Sequence, residues 1–152
     1  MSRIRGTIKD KRDGQKSRLY KWEDQVIAPY GGASIVIGAA QGVINHIWEQ
    51  MGLEHPPKVE RFRSNVTSKW AAGDRFVIQM HDDVPTWVLL HELAHSMTST
   101  FEHNVHAHNE NFVGLYMQLC EKFLKIDYLY LQHTATMHGV KFNLAAKPTF
   151  LE

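Results

Sequence analysis

With 152 residues, 43% of them hydrophobic and 22% charged, the chain has the balance of one globular domain with a packed core, not of a disordered or fibrous polymer. The formal net charge is +1 and Cys120 is the single cysteine, which excludes an intramolecular disulfide framework and a multi-cysteine zinc knuckle. No apolar run approaches the roughly 20 residues that a membrane-crossing helix needs, and Met1 to Arg5 leads into charge and not into a signal-peptide core, so a cytoplasmic location with no membrane partner is expected.

The near-neutral total hides an uneven distribution, because residues 1–21 carry eight Lys or Arg against two Asp. Residues 1–11 are expected to form a flexible basic arm able to touch nucleic acid or an acidic partner. Residues 12–140 are expected to form a single domain and residues 141–152 a C-terminal tail; there is no internal repeat or low-complexity linker to suggest otherwise.

In chain order, Gln15 to Ala28 reads as a short helix with Leu19, Trp22 and Val26 or Ile27 on one face, broken by Pro29, Gly31 and Gly32. Ser34 to Ile37 reads as a short strand. From Ala39 to Met51, Ala40, Val43, Ile44, Ile47, Trp48 and Met51 recur at three and four, with Gly52 where a helix C-terminus favours it. Lys58 to Arg63 alternates imperfectly, and Trp70 to Met80 contains the stronger strand Arg75–Met80.

Asp82, Asp83 and Pro85 suit a helix N-terminus, since acidic caps meet unpaired amides and proline fits a first turn. The helix they predict runs to about Thr98. Ser99 to Ala107 is polar and irregular. His108 to Ile126 then repeats Phe112, Leu115, Tyr116, Leu119, Phe123 and Ile126 at helical spacing, and a last helix covers Tyr128 to Met137. The resulting fold class is α+β, a small sheet combined with helices.

Chemistry concentrates in His91-Glu92-Leu93-Ala94-His95. Two histidines four apart on a helix project roughly 40° apart around the axis and one turn along it, so both imidazoles can reach one cation. Glu92, beside the first, is positioned to take a proton from an attacking water. Composition alone predicts roughly 0.04 matches of this pattern in such a chain. The flanking Val88, Leu89, Leu90, Leu93 and Ala94 also bury the segment, where unpartnered imidazoles and a carboxylate are costly.

A catalytic zinc takes three protein ligands and leaves one position open. Thr98 and Phe101 stand where a metzincin needs glycine and histidine, which excludes that class. His108 is the favoured third ligand because it lies four residues before Phe112 and shares the buried stripe; His106, His103, Glu110 and Glu121 are the alternatives. Trp70, Trp87, Tyr116 and the methionines sit at core spacings. Tyr116 has a second option as an oxyanion donor, and Arg75–Met80 as an exposed edge for an extended substrate. Cys120 lacks a paired base and is not expected to be a nucleophile.

The stretch His91-Glu92-Leu93-Ala94-His95 followed by His108-Asn109-Glu110-Asn111-Phe112 resembles the SprT-like minimal zincins, whose third histidine opens a helix in a His-Gly-x-x-Phe/Trp pattern; Asn109 replaces the glycine. A closer resemblance is to a family of small bacterial and phage metallohydrolases that begin with Arg-Asp-x-Gln-x-Ser-x-x-Tyr. Arg12-Asp13-Gly14-Gln15-Lys16-Ser17-Arg18-Leu19-Tyr20 matches that opening, and Glu23-Asp24 fits as well. The resemblance implies a zincin-like domain with zinc bound by His91, His95 and His108 and with Glu92 catalytic.

Together these features predict a zinc-dependent hydrolase cleaving peptide bonds in a peptide or protein substrate. The alternatives are a non-catalytic zinc-stabilised module binding nucleic acid or protein, and hydrolysis of a non-peptide amide or ester.

Overall fold

The computed structural model describes residues 14–99 and 107–151. The basic arm at 1–11, His103 and His106 lie outside the described residues. The architecture is α+β, as the patterning predicts, with five α-helices and five short strands in two sheets among the described residues.

Helix α1 (Lys16–Trp22) begins where the apolar spacing places it, and buries Leu19 and Trp22. The single helix expected as far as Ala28 does not continue as such. Its backbone widens into a π-helical turn over Glu23–Ile27 and then tightens into a 3-10 turn over Ala28–Tyr30. Val26 and Ile27 still reach the core, and Glu23 is buried with them.

Strand β1 (Ser34–Val36) leads into α2 (Ile37–Gln50), whose Ala40, Ile44, Ile47 and Trp48 are buried at the expected spacing. Gly52 closes the helix at φ +72°, a left-handed conformation that a side chain disfavours. The larger sheet has the order β2 (Lys58–Arg61), β4 (Val77–Met80), β3 (Ala71–Gly73). Strands β2 and β4 are parallel, with Lys58 opposite Val77, whereas β3 and β4 are antiparallel, with Ala71 opposite Met80. A tight turn joins β3 to β4, where the Asp74 carboxylate accepts from the amides of Phe76 and Val77.

This order corrects one expectation. The Arg75–Met80 segment is not an exposed edge; β4 is the central strand, hydrogen-bonded on both sides, and β2 and β3 are the edges. Hydrophobic alternation revealed a strand there but held no information about its neighbours.

A second correction concerns the start of helix α3 (Thr86–Thr98). No acidic side chain caps it. Asp83–Pro85 forms β5, paired antiparallel with β1, and the Asp82 carboxylate pairs with Arg61 while Asp83 accepts from the Ser34 hydroxyl. The first amides of α3 instead find main-chain acceptors: Thr86 N donates to the Ala33 carbonyl at 3.1 Å and Trp87 N to that of Gly31 at 3.1 Å. Capping needs only an acceptor, and the crossing chain supplies it.

Helix α4 (Glu110–Leu124) lies against α3, with Phe112, Leu115, Tyr116 and Leu119 buried between them and the rest of the core. Helix α5 (Tyr128–Met137) follows as predicted and is tied to α1 by a bond from the Trp22 indole N–H to the Thr134 hydroxyl at 3.0 Å. Met137 is 72% exposed, so the expectation that every methionine is core fails there. Residues beyond α5 run back along the body: Asn143 N donates to the Glu110 carbonyl, Thr149 N to the Met97 carbonyl, and Phe150 stacks on Trp48. Among the described residues no helix is long and apolar enough to cross a membrane.

Candidate metal centre

Helix α3 is enclosed on all sides: every residue from Trp87 to Met97 is buried. Helix α4 covers one flank and β3 another. The approach of β3 is close enough to require Gly73, because a Cβ there would lie 2.9 Å from the Glu92 carbonyl oxygen and 3.1 Å from the Glu92 Cβ. Placing a histidine pair and a glutamate in such a helix commits three polar side chains to the interior.

His108 joins them from a separate segment of the chain. It stands just before α4, whose N-cap is Asn109, with the Asn109 side-chain oxygen accepting from Phe112 N at 3.0 Å. The helix expected from His108 therefore starts two residues later, and the histidine sits in the turn that leads into it. The Gln15 side-chain amide holds that lead-in by donating to the His108 carbonyl at 2.7 Å.

The three imidazoles converge. Ring centroids are 4.9 Å apart for His91 and His95, 5.4 Å for His91 and His108, and 4.8 Å for His95 and His108. One ring nitrogen from each lies within 4.8 Å of the others, and all three residues are buried. The Phe112 ring packs against each of them, at 5.1, 4.5 and 5.1 Å for His91, His95 and His108 respectively. The helix spacing predicted the first pair; the third member is the residue favoured from the buried stripe.

Electrostatics suit a cation at this point. Burial holds the His95 imidazole well below its ordinary pKa, and the adjoining His91 and His108 add to the effect, so His95 is neutral and keeps a lone pair available. Its Nε2 is buried without a hydrogen-bond partner. Two carboxylates, Glu23 and Glu92, are fully buried, yet no Lys or Arg is among the buried described residues. Three imidazole nitrogens beside two enclosed acids form a donor set that a divalent ion fits.

One contributor escaped the sequence reading. Glu23 lies 2.7 Å from His91 Nδ1 with both side chains fully enclosed. A signal was present, since Leu19, Glu23 and Ile27 are four apart and thus share the buried face of the first helix, but an acid on an apolar stripe does not identify its partner. Tyr20, one turn earlier, places its ring 5.4 Å from that of His108 and 6.0 Å from that of His91.

Other candidates separate cleanly. Glu110 and Glu121 are exposed and are not part of the histidine cluster. The Tyr116 hydroxyl, considered as an oxyanion donor, points to main chain and donates to the Trp87 carbonyl at 3.4 Å; its ring packs against His91 and Trp22. Cys120 is buried, and burial pushes its thiol well above the usual range, which agrees with an unreactive core cysteine.

The chain matches no protein-family model, no curated protein and no solved structure.

Proposed function

We propose that the protein is a zinc-dependent hydrolase, a small zincin-like metallopeptidase, with His91, His95 and His108 as metal ligands and Glu92 as the catalytic base. The observation that carries the proposal is the meeting of three buried imidazole nitrogens within 4.8 Å, two of them on the helix that also bears Glu92. Three imidazole nitrogens are a number and kind of ligand used at catalytic zinc sites.

His91, His95 and His108 would hold a divalent ion, which would supply Lewis-acid polarisation of a carbonyl and acidify a water. Glu92, next to His91 in the same turn, would be the group to take a proton from an attacking water. It then returns the proton to the leaving amine as the C–N bond breaks. Enclosure by α4 and β3 limits competing solvent and strengthens the pull of the carboxylate on the proton. The resemblance of the His91–His95 and His108–Phe112 segments to minimal zincins supports peptides as the substrate class.

Metal stoichiometry on purified protein, wild type beside His108→Ala, tests the site. One zinc per chain in the wild type and its loss in the variant are expected; no zinc uptake by wild type at a saturating concentration refutes the assignment. Hydrolysis of an unstructured protein such as casein, with zinc and after chelation, tests the activity.

Complete burial of all three histidines favours a second reading, in which the ion only holds α3 to the lead-in of α4. On that reading the cobalt-substituted protein has a closed tetrahedral spectrum that added small anions do not perturb. On the hydrolase reading azide or a hydroxamate changes the spectrum by entering the open position.

A further inference from the structure

We infer that Glu23 is a positioning residue for the metal centre, fixing the ring of His91 so that Nε2 faces the ion. The inference rests on the metal-centre reading above and extends it to a residue 68 positions away in sequence.

Three observations converge on it. The Glu23 Oε2 to His91 Nδ1 separation is 2.7 Å, short for a nitrogen–oxygen hydrogen bond and typical of one strengthened by charge. Both side chains have zero exposure, so water does not compete for either. The helix carrying Glu23 changes from α to π geometry at this residue, with the π-helical turn spanning Glu23–Ile27. Turns of that kind are rare and concentrate where a side chain must be re-aimed. Here the residue at its start is the one that reaches His91.

The physical consequence follows from donor inventory. With Glu23 ionised, its carboxylate only accepts, so the proton between the two groups would belong to Nδ1 and a neutral ring would be unprotonated at Nε2. That is the tautomer able to ligate through Nε2. The carboxylate also resists rotation of the ring and raises the basicity of the ligating nitrogen, as outer partners of metal-bound histidines do.

Glu23→Gln is nearly isosteric but replaces an acceptor-only group by an amide that can donate to Nδ1 and so select the wrong tautomer. Glu23→Asp keeps an acceptor-only group on a shorter stem. Zinc affinity by chelator competition should fall in the order wild type, Glu23→Asp, Glu23→Gln, with the Gln variant weaker than wild type by roughly 10- to 100-fold. Long-range nitrogen–proton correlation spectra of the metal-free protein should show His91 protonated at Nδ1 in the wild type and shifted toward Nε2 protonation in Glu23→Gln.

The Gln variant binding zinc as tightly as the Asp variant or the wild type, with the His91 tautomer unchanged, overturns the inference. Wild-type protein that takes up no zinc refutes the metal centre itself, a distinct outcome read in the same titration. Circular dichroism selects the folded samples, and if Glu23→Gln does not fold, the tautomer and affinity of Glu23→Asp against wild type decide the matter.

Discussion

The Gln15 side chain clasps both the His108 loop and the chain beyond α5: its amide donates to the His108 carbonyl at 2.7 Å and to the Lys141 carbonyl at 3.1 Å, while its oxygen accepts from Lys141 N at 2.9 Å. One buried side chain therefore joins the start of the described chain to a candidate ligand and to a segment 126 residues away. Truncation to Gln15→Ala leaves buried main-chain groups without their partner. Stability should fall by about 1–3 kcal/mol, read as a lower midpoint in urea at unchanged slope. A midpoint equal to wild type would mean that water replaces the amide without loss.

Glu92→Gln separates binding from chemistry. The amide has nearly the volume of the carboxylate but no proton affinity to speak of, so zinc stoichiometry should persist while hydrolysis of casein drops by roughly 10²- to 10⁴-fold. Retained turnover in a metal-replete variant would remove Glu92 from the role of base.

Gly73→Val tests the contact between β3 and the helix. Any side chain there meets the Glu92 carbonyl and Cβ, at 2.9 and 3.1 Å for the first carbon alone, with helix backbone unable to yield. A loss of about 1–3 kcal/mol in unfolding free energy is expected from the overpacking. Disturbed activity should accompany it, because the strand presses at the residue proposed as base. Unaltered stability would show that β3 moves away at little cost.

Stability of the metal-free protein should depend on pH through His95. Its folded-state pKa is lowered, chiefly by burial, whereas in the unfolded chain the imidazole titrates near its ordinary value of about 6.5. Above that value both states are neutral and the full stability is present. As pH falls through about 6.5 the unfolded chain binds a proton that the folded chain refuses, so stability declines with falling pH. Urea midpoints at pH 7.5 and 5.5 should show the drop, and His95→Gln should show a smaller one. Excess zinc at pH 7.5 should raise the wild-type midpoint, by about 2.7 kcal/mol of stability at a hundred times its dissociation constant.

Local pattern made much of this molecule legible. Helices α2 and α4 follow from apolar residues recurring at three and four, a periodicity produced by the helix itself. The convergence of His91 and His95 is of the same kind, since one turn of backbone dictates it. His108 was accessible more indirectly: its spacing from Phe112 pointed inward, although the helix proper begins at Glu110.

What failed was whatever depends on a partner remote in sequence. Asp82 and Asp83 have the chemistry of caps, but Arg61 and Ser34 engage them, and the carbonyls of Gly31 and Ala33 receive the α3 amides in their place. Arg75–Met80 has strand character, but whether it is edge or centre depended on β2 and β3 arriving on either side. Tyr116 has a hydroxyl that chemistry could use, and packing aims it at Trp87.

From the amino-acid order alone came the α+β class, the helix that carries two imidazoles and a carboxylate, and the inward-facing third histidine, because each is set within a few turns of its own backbone. Tertiary structure alone decided that the three rings meet, that Glu23 stands behind His91, and that Gln15 secures His108. Those are contacts between segments tens of residues apart, and their geometry exists only once the core has packed and excluded water from it.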